Sequence, residues 1–474
     1  ETQDDAGRWG CASAMIRAGI KATVLQHSNL PVADKDSSLL QEVHKISIGR
    51  ASALVQTSEA QNMSAQKPEW YYDRTTWQPH LCQLATWKQA GACYVRSWKL
   101  DDFRKLRKVL SQKQYGDEAT LDARLLRSID AGPLKPMTPG AGKSGSGFAN
   151  VADEMFKVKL GLKYNAKMNE PDNVMKLMEG DPENTDTLYE HFEKAAYGSM
   201  LNPIHGMMKF AFGSMRSYII ILDDAFYHVD SAAEKEQKAK DDVAFTRYDL
   251  KGASRNQKEK KETGWCLING DFRERESNRL YLDDEQCMKF RSVVERDAKF
   301  LGSHGMIDYS LALLSLHGDG VTSGGVSCNG TSAPMCQKST DRLYTTSIID
   351  YVNDLSLGKS LESMAKGGKF SNYDKQISVF AKKICPTEAE VAFREKLKDL
   401  ITTRHGGSLK KAFASIDTEG DGLVSFEELK AFMKSLEMND DEHILNLFQE
   451  LEAEDDGKTE EGQVGWEAFK FLIQ

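Results

Sequence analysis

From Asp153 to Leu160 the chain reads DEMFKVKL, with Met155, Lys157 and Lys159 alternating with Phe156, Val158 and Leu160. That period of two predicts a β-strand. Two longer apolar runs, SYIIILDDAF (217–226) and LYTTSIIDYV (343–352), predict buried strands. The stretch ERDAKFLGSHGMIDYSLALLSLH predicts a helix to about Leu301, a glycine-bounded turn and then an apolar strand. A period near 3.6 governs LDDFRKLRKVL (100–110), where Phe103, Leu106, Val109 and Leu110 share one face and Arg104, Lys105, Arg107 and Lys108 fall between them. This helix either packs with a solvated basic face or meets anionic lipid. Leu39 to Leu54 has some helical spacing, and the aromatic-rich stretch from Pro68 to Trp98 reads as packed irregular structure. The polar segment after Leu160 is helical in parts, with a loop near Gly180 to Asn184, and 318–334 is a loop by composition. Helices mixed with strands that cannot all share one face predict an α+β fold with an appended helical module.

A chain of 474 residues exceeds what one core usually supports, so two or three domains are expected. With 40% hydrophobic and 28% charged residues it is ordinary for a globular protein. Its longest central aliphatic run, Ile219 to Leu222, is far short of a membrane span. The first residue is Glu1 and no basic-then-apolar leader follows, so the chain reads as a fragment or a processed product without a secretion signal. Eight cysteines lie scattered without a C-x-x-C pair, which predicts reduced thiols in a cytoplasmic protein. Charge is uneven. From His405 onward six lysines face seventeen acids, a net of −11, so residues 1–404 carry +2 of the chain's overall −9. The body therefore suits anionic partners and the tail suits cations or a basic peptide; nothing points to nucleic acid.

Chemistry enters at PGAGKSGSGFAN (139–150), where Gly142-Lys143-Ser144 has the ending of a P-loop. A P-loop needs a glycine five residues before Gly142, where Met137 stands, and it opens into a helix, whereas here a strand pattern follows. Gly142, Lys143, Ser144, Gly145, Ser146 and Gly147 suit instead a glycine-rich hairpin that closes over a triphosphate, with Lys159 on the next strand to neutralise phosphate. A flexible linker followed by a surface lysine is the plain alternative. YDLKGASRN (248–256) adds Asp249, Lys251 and Arg255, MIDYSLALL (306–314) adds Asp308, and SIIDYV (347–352) adds Asp350, an acid after two isoleucines that is costly unless paired or metal-bound.

GKSGSGF, MFKVKL, YDLKGA, FLGSHGMIDYSLALL and SIIDYV fall in an order and spacing that resemble the phosphatidylinositol phosphate kinases across about residues 100–400. The resemblance implies a two-lobed phosphoinositide-kinase fold with antiparallel sheets: N-lobe 96–226, C-lobe 227–404, and an unassigned region 1–95. It implies ATP and magnesium as cofactors and a phosphoinositide-containing membrane surface as partner, hence a cytoplasmic, peripherally membrane-associated lipid kinase of 5-kinase type. Lys159 would be the ATP-phosphate lysine, Asp308 the catalytic aspartate and Asp350 the magnesium ligand. Asp249 and Lys251 would shape the site near the transferred phosphate, with Arg255 on the substrate side. The carboxylate partner of Lys159 stays open between Glu170 and Glu179. The segment from Gly358 to Pro386 looks like the family's specificity loop, whose dibasic pair would be Lys382 and Lys383. Three positions depart from the family pattern: Ala253, Lys157 within the strand, and Asp223-Asp224-Ala225-Phe226 at the nucleotide hinge. A degenerate kinase-fold scaffold and a soluble inositol phosphate kinase are the rival functions.

The acidic tail, 405–474, is read as an EF-hand pair. DTEGDGLVSFEE (417–428) fits the twelve-residue calcium loop, with Asp417, Glu419, Asp421, Leu423 (through its carbonyl), Ser425 and Glu428 as oxygen ligands and Gly422 at the turn. Placing Gly462 and Val464 at positions 6 and 8 of a second loop leaves Ala468 at position 12, so that loop lacks its bidentate ligand and reads as a structural partner, with an irregular site from Glu452, Glu454, Asp455, Asp456, Glu460 and Glu461 as the alternative. A target helix, within this chain or on a partner, is expected for such a module.

Overall fold

The structure, a computed structural model, describes residues 13, 16–17, 20, 77–82, 93–114, 120–136, 147–151, 155–162, 170–180, 186–195, 198–212, 215–226, 243–251, 267–318, 336–339, 341–352, 373–454 and 462–470. The chain divides into two units, one of 1–179, 186–194 and 202–227 and the other of 180–185, 195–201 and 228–474.

The first unit contains β1 (Trp77–Cys82), β2 (Cys93–Trp98), α1 (Leu100–Gln114), α2 (Thr120–Asp130), β3 (Lys135–Pro136) and β4 (Gly147–Asn150). It continues with β5 (Phe156–Leu162), α3 (Glu170–Glu179), α4 (Leu188–Lys194), β6 (Ile204–Phe212) and β7 (Met215–Asp223). Its strands form one antiparallel sheet in the order β1-β2-β6-β7-β5-β4-β3. The expectation of irregular structure up to Trp98 is corrected here: β1 and β2 pair from Trp77 opposite Trp98 to Cys82 opposite Cys93. WQPHLC and CYVRSW show no strict alternation, so their strand character comes from their place in the sheet rather than from local pattern. The basic helix is corrected too. In α1 the apolar face is buried as expected, but Arg107 is buried with it, its guanidinium donating to Asp122 Oδ1 at 2.5 Å and to the carbonyl of His205 at 2.6 Å. That residue is therefore a fastener between α1, α2 and β6, not part of a solvated or lipid-facing stripe.

The second unit contains β8 (Val243–Lys251), α5 (Asn269–Glu276), α6 (Asp284–Ser303), β9 (Ser310–Gly318), β10 (Cys336–Lys338), β11 (Arg342–Ile349), α7 (Tyr373–Ile384) and α8 (Glu388–His405). After them come α9 (Leu409–Ile416), β12 (Leu423–Ser425), α10 (Phe426–Ser435), α11 (Asp441–Glu454), β13 (Gln463–Gly465) and α12 (Trp466–Phe469). Four strands form an antiparallel sheet in the order β10-β11-β9-β8. β9, buried along Leu311, Ala312, Leu313 and Leu314, is flanked on both sides, which explains its unbroken apolar run. Helix α6 starts where Asp283 and Gln286 cap one another's backbone N–H groups, and it buries Phe290, Val293, Val294 and Leu301.

Cys287 of α6 and Cys385, just past α7, form a disulfide with Cα atoms 5.4 Å apart. This corrects the expectation of reduced thiols throughout. The two cysteines are 98 residues apart, and only the packing of α6 on α7 brings them together. The acidic tail falls within the same unit as the four-stranded sheet. Its core takes in Leu397 and Ile401 of α8 together with Phe413, Leu429, Phe432, Ile444, Phe448 and Val464.

Candidate active site and calcium loop

In the first unit β5 delivers Lys159 into the interior. Phe148 lies opposite Lys159 in the β4–β5 pairing, with its ring 5.6 Å from the ammonium. The strand is buried on both faces, Phe156 and Val158 on one and Lys159 on the other, so the lysine is not the surface residue that alternation alone allows. Its ammonium lies 2.8 Å from Glu170 Oε2, off the direction of a well-formed hydrogen bond, with both side chains about 95% buried. Glu170 opens α3 and is therefore the partner left open by the sequence; Glu179 at the other end of that helix pairs with Lys99 at 3.1 Å. Glycine-loop residues Gly142, Lys143, Ser144, Gly145 and Ser146 lie outside the described residues, and Gly147 is the first residue of β4.

Two of the departures from the family pattern answer each other. Lys157 Nζ sits 2.9 Å from Asp224 Oδ1 and 5.8 Å from the Phe226 ring. Asp224 also accepts from the Phe226 backbone N–H. Next to it, Asp223 is buried against His205 Nε2 at 2.5 Å. The hinge acids thus have structural partners, and the lysine that interrupts the apolar strand is one of them.

In the second unit one end of the four-stranded sheet gathers Asp249, Lys251, Asp308 and Asp350. Lys251 ends β8 opposite Ser310, and Ser310 is opposite Ile349 across β11. Asp308 lies two residues before β9 and Asp350 one residue after β11, so all four acids and bases arrive at the same edge. Both Asp308 (φ 62°) and Asp350 (φ 57°) hold left-handed backbone conformations, which a short polar side chain tolerates better than a branched one. Lys251 Nζ donates to the Asp308 carbonyl at 2.5 Å and lies 3.5 Å from its Oδ1. Burial pushes the Asp249 carboxyl above its usual range; Lys251 and Ser310 pull the other way, and the charges of Asp350 and Asp308 raise it further. The two isoleucines before it do not bury Asp350: its side chain is exposed beyond the strand end.

Magnesium takes hard oxygen donors and commonly keeps one or two carboxylates with substrate phosphates and water. Asp249 Oδ1 is buried without a hydrogen-bond partner beside Asp308 and Asp350, and such a donor set fits. Among the described residues no three His, Cys, Asp or Glu side chains stand close enough to hold a metal by themselves. Arg255 lies outside the described residues.

The expected lipid-facing loop is corrected at its C-terminal part. Residues 353–372 lie outside the described residues, but Lys382 and Lys383 are in the last turn of α7, a helix packed on α6 and α11. Lys382 Nζ reaches Asn446 Oδ1 of α11 at 3.3 Å, and the Lys383 charge acts on Glu450 of the same helix. Val379, Phe380 and Ile384 at helical spacing carried that signal, and the neighbouring glycines obscured it.

The EF-hand loop is wound around the carboxylate of Asp417. Asp417 Oδ1 accepts from Gly420 N and Asp421 N, its Oδ2 accepts from Gly422 N, and Gly422 takes φ +84°. Leu423 N donates to Asp421 Oδ1. β12 pairs with β13 so that Val424 is opposite Val464, and Gly462 has φ +88°, matching Gly422. The oxygen donors fit calcium, yet Glu428 is turned toward protein groups. Its Oε1 accepts from Thr418 N and Oγ1, and Oε2 accepts from Ser425 N and Oγ. Partial burial alone would raise this carboxyl, but those bonds outweigh it and bring it down to about 2. Glu419 is exposed in the loop.

One unit carries a buried Lys–Glu pair on a sheet whose β4 begins at Gly147, and the other a cluster of aspartates at a sheet edge and an EF-hand tail. Residues 137–333 match the phosphatidylinositol-4-phosphate 5-kinase family, and residues 408–436 match the EF hand domain. The chain therefore carries a domain of that kinase family together with an EF-hand. It is also similar to phosphatidylinositol 5-phosphate 4-kinase type-2 gamma of Xenopus tropicalis, at 29% identity over 133 residues, covering 27% of this chain and 28% of the relative. Asn269 lies outside every resembling motif, and Tyr373 falls in the segment that resembles the specificity loop without being singled out there.

Proposed function

We propose that the chain transfers the γ-phosphoryl group of ATP to a hydroxyl of a phosphoinositide headgroup at a membrane surface, under calcium control. The observation that carries this reading is the buried Lys159–Glu170 pair, with the lysine on a strand hydrogen-bonded to the strand that Gly147 begins and the glutamate on the following helix. Kinases need that arrangement to hold a lysine against nucleotide phosphates. In this reading Gly142 to Gly147 close over the phosphates, Asp308 orients the attacking hydroxyl, and Lys251 and Arg255 offset charge on the transferred group. Asp350 and Asp249 would hold magnesium, which supplies charge neutralisation at the phosphates. The 5-hydroxyl is the proposed acceptor, following the family description; the similar 4-kinase makes a lipid already phosphorylated at position 5 the necessary comparison. No described helix is long and apolar enough to cross a membrane, so the membrane contact is proposed as peripheral.

Helix α7 is the proposed carrier of calcium control. At its start Tyr373 donates to the carbonyl of Tyr309, the residue after Asp308, and the two rings meet edge to face at 4.7 Å. At its end Lys382 meets Asn446 of α11. Lys430 of α10 pairs with Asp441 of α11 at 2.8 Å, so a change at Glu428 reaches α7 through two helix contacts.

The test is ATP turnover on vesicles carrying singly phosphorylated phosphoinositides, alongside the water-soluble headgroups, with and without calcium. Lys159→Met and Asp308→Asn should each reduce turnover by about a hundredfold or more. Equal turnover by both variants and the native chain removes the reading; turnover of free headgroups alone replaces it with a soluble kinase.

A further inference from the structure

β8 is the edge strand of its sheet, and its outward backbone groups belong to Arg247, Asp249 and Lys251. Leu267 covers the first part of that edge: its N–H donates to the Arg247 carbonyl at 2.8 Å, and its carbonyl accepts from Asp249 N at 2.8 Å. The chain then turns away to start α5 at Asn269. At the next rung no backbone among the described residues covers Lys251. The Asn269 side chain takes that place, its Oδ1 accepting from Lys251 N at 3.0 Å and its Nδ2 donating to the Lys251 carbonyl at 2.9 Å. A carboxamide has the donor and acceptor of a peptide group in the same plane, so this side chain extends the ladder by one residue. Asn269 is itself about nine-tenths buried, and Asp271 fixes the helix start by accepting from Ile268 N.

We infer that Asn269 is a positioning residue: it holds the end of β8 so that the Lys251 ammonium stays on Asp308. The contact it protects is the 2.5 Å hydrogen bond from Lys251 Nζ to the Asp308 carbonyl, with Oδ1 at 3.5 Å. A lysine has four rotatable side-chain bonds, and a strand end without its outer hydrogen bonds frays. Without Asn269 the ammonium leaves an aspartate whose left-handed backbone depends on its neighbours. The inference rests on the proposed phosphoryl transfer only for its activity readout.

Two measurements separate the outcomes. Asn269→Ala, with Asn269→Ser as a milder change if the first fails to fold, should lower kcat between about tenfold and a hundredfold, with KM for ATP within about twofold. In a Lys251→Ala background the same substitution should change kcat by less than about twofold, because the group it positions is gone. Independently of any activity, the rate at which an amine-acylating reagent labels Lys251, read by mass spectrometry, should rise several-fold relative to an exposed lysine of the same chain. An additive loss in the double variant, or unchanged labelling of Lys251 in folded Asn269→Ser, overturns the inference. Absence of turnover in the native chain counts against the proposed function instead, and the labelling result still decides the role of Asn269.

Discussion

A buried charge sets the energetics at single residues. Lys159 and Glu170 compensate one another in a buried site, so Glu170→Ala should cost about 3–5 kcal/mol by removing the carboxylate beside a buried ammonium. Replacing both, Lys159→Met with Glu170→Leu, should recover most of that stability without recovering turnover; chemical denaturation beside the activity assay separates the two effects. Glu428 behaves differently because its partners are hydrogen-bond donors, not a cation. Its carboxyl, held down to about 2 against an ordinary 4.5, contributes stability that is fully present above about pH 4.5 and is lost as pH falls toward 2. Glu428→Gln should flatten that part of the stability profile in calcium-free buffer and should also abolish high-affinity calcium binding by titration calorimetry. A steep loss of stability over that range in the variant, equal to the native chain's, would assign the acid response to other carboxylates. These two residues also mark what sequence alone resolves. Glu428 was placed by its spacing within twelve residues, whereas the choice of Glu170 over Glu179 depended on which end of α3 meets β5.

At the level of elements the same division holds. β5, β7, β9, β11 and α6 were readable because each carries its own period or an unbroken apolar run. β1 and β2 were not, since WQPHLC and CYVRSW become strands only by pairing in the sheet. Lys382 and Lys383 fall in a segment that resembles the family's specificity loop, and only the packing of α7 on α6 and α11 shows them to be helical. The disulfide, the buried Arg107 and the Asn269 rung are likewise products of packing between distant segments. Removing one hydroxyl with Tyr373→Phe keeps the ring on Tyr309 but loses the bond to its carbonyl. Calcium affinity should remain within about twofold of native, while the difference in turnover with and without calcium shrinks, because the loop still binds its ion and the far end of α7 no longer grips the catalytic segment. An undiminished calcium response in this variant would place the coupling elsewhere.

For the whole molecule the deciding fact is which unit holds which candidate site residues. The EF-hand loop, α8 and the aspartate cluster all belong to the second unit, and Lys159 with Glu170 belongs to the first. Leu397 and Ile401 of α8 are fully buried in the EF-hand core, so cutting the chain at residue 404 would divide one core between two fragments. An ion that binds the folded loop and not the unfolded chain stabilises by about 2.7 kcal/mol at a hundredfold excess over its Kd. For a unit of this size that amounts to a rise of roughly 5–10 °C in midpoint. Scanning calorimetry of the full chain should therefore show calcium raising the transition that carries loss of α8 and EF-hand helix signal, with the transition of the seven-stranded unit moving little. Glu428→Gln should remove the shift. If calcium instead raised every transition equally, the two units would unfold as one. If it raised none, the loop from Asp417 to Glu428 would not be a calcium site at all, and the acidic tail would serve α8 as a structural cover alone.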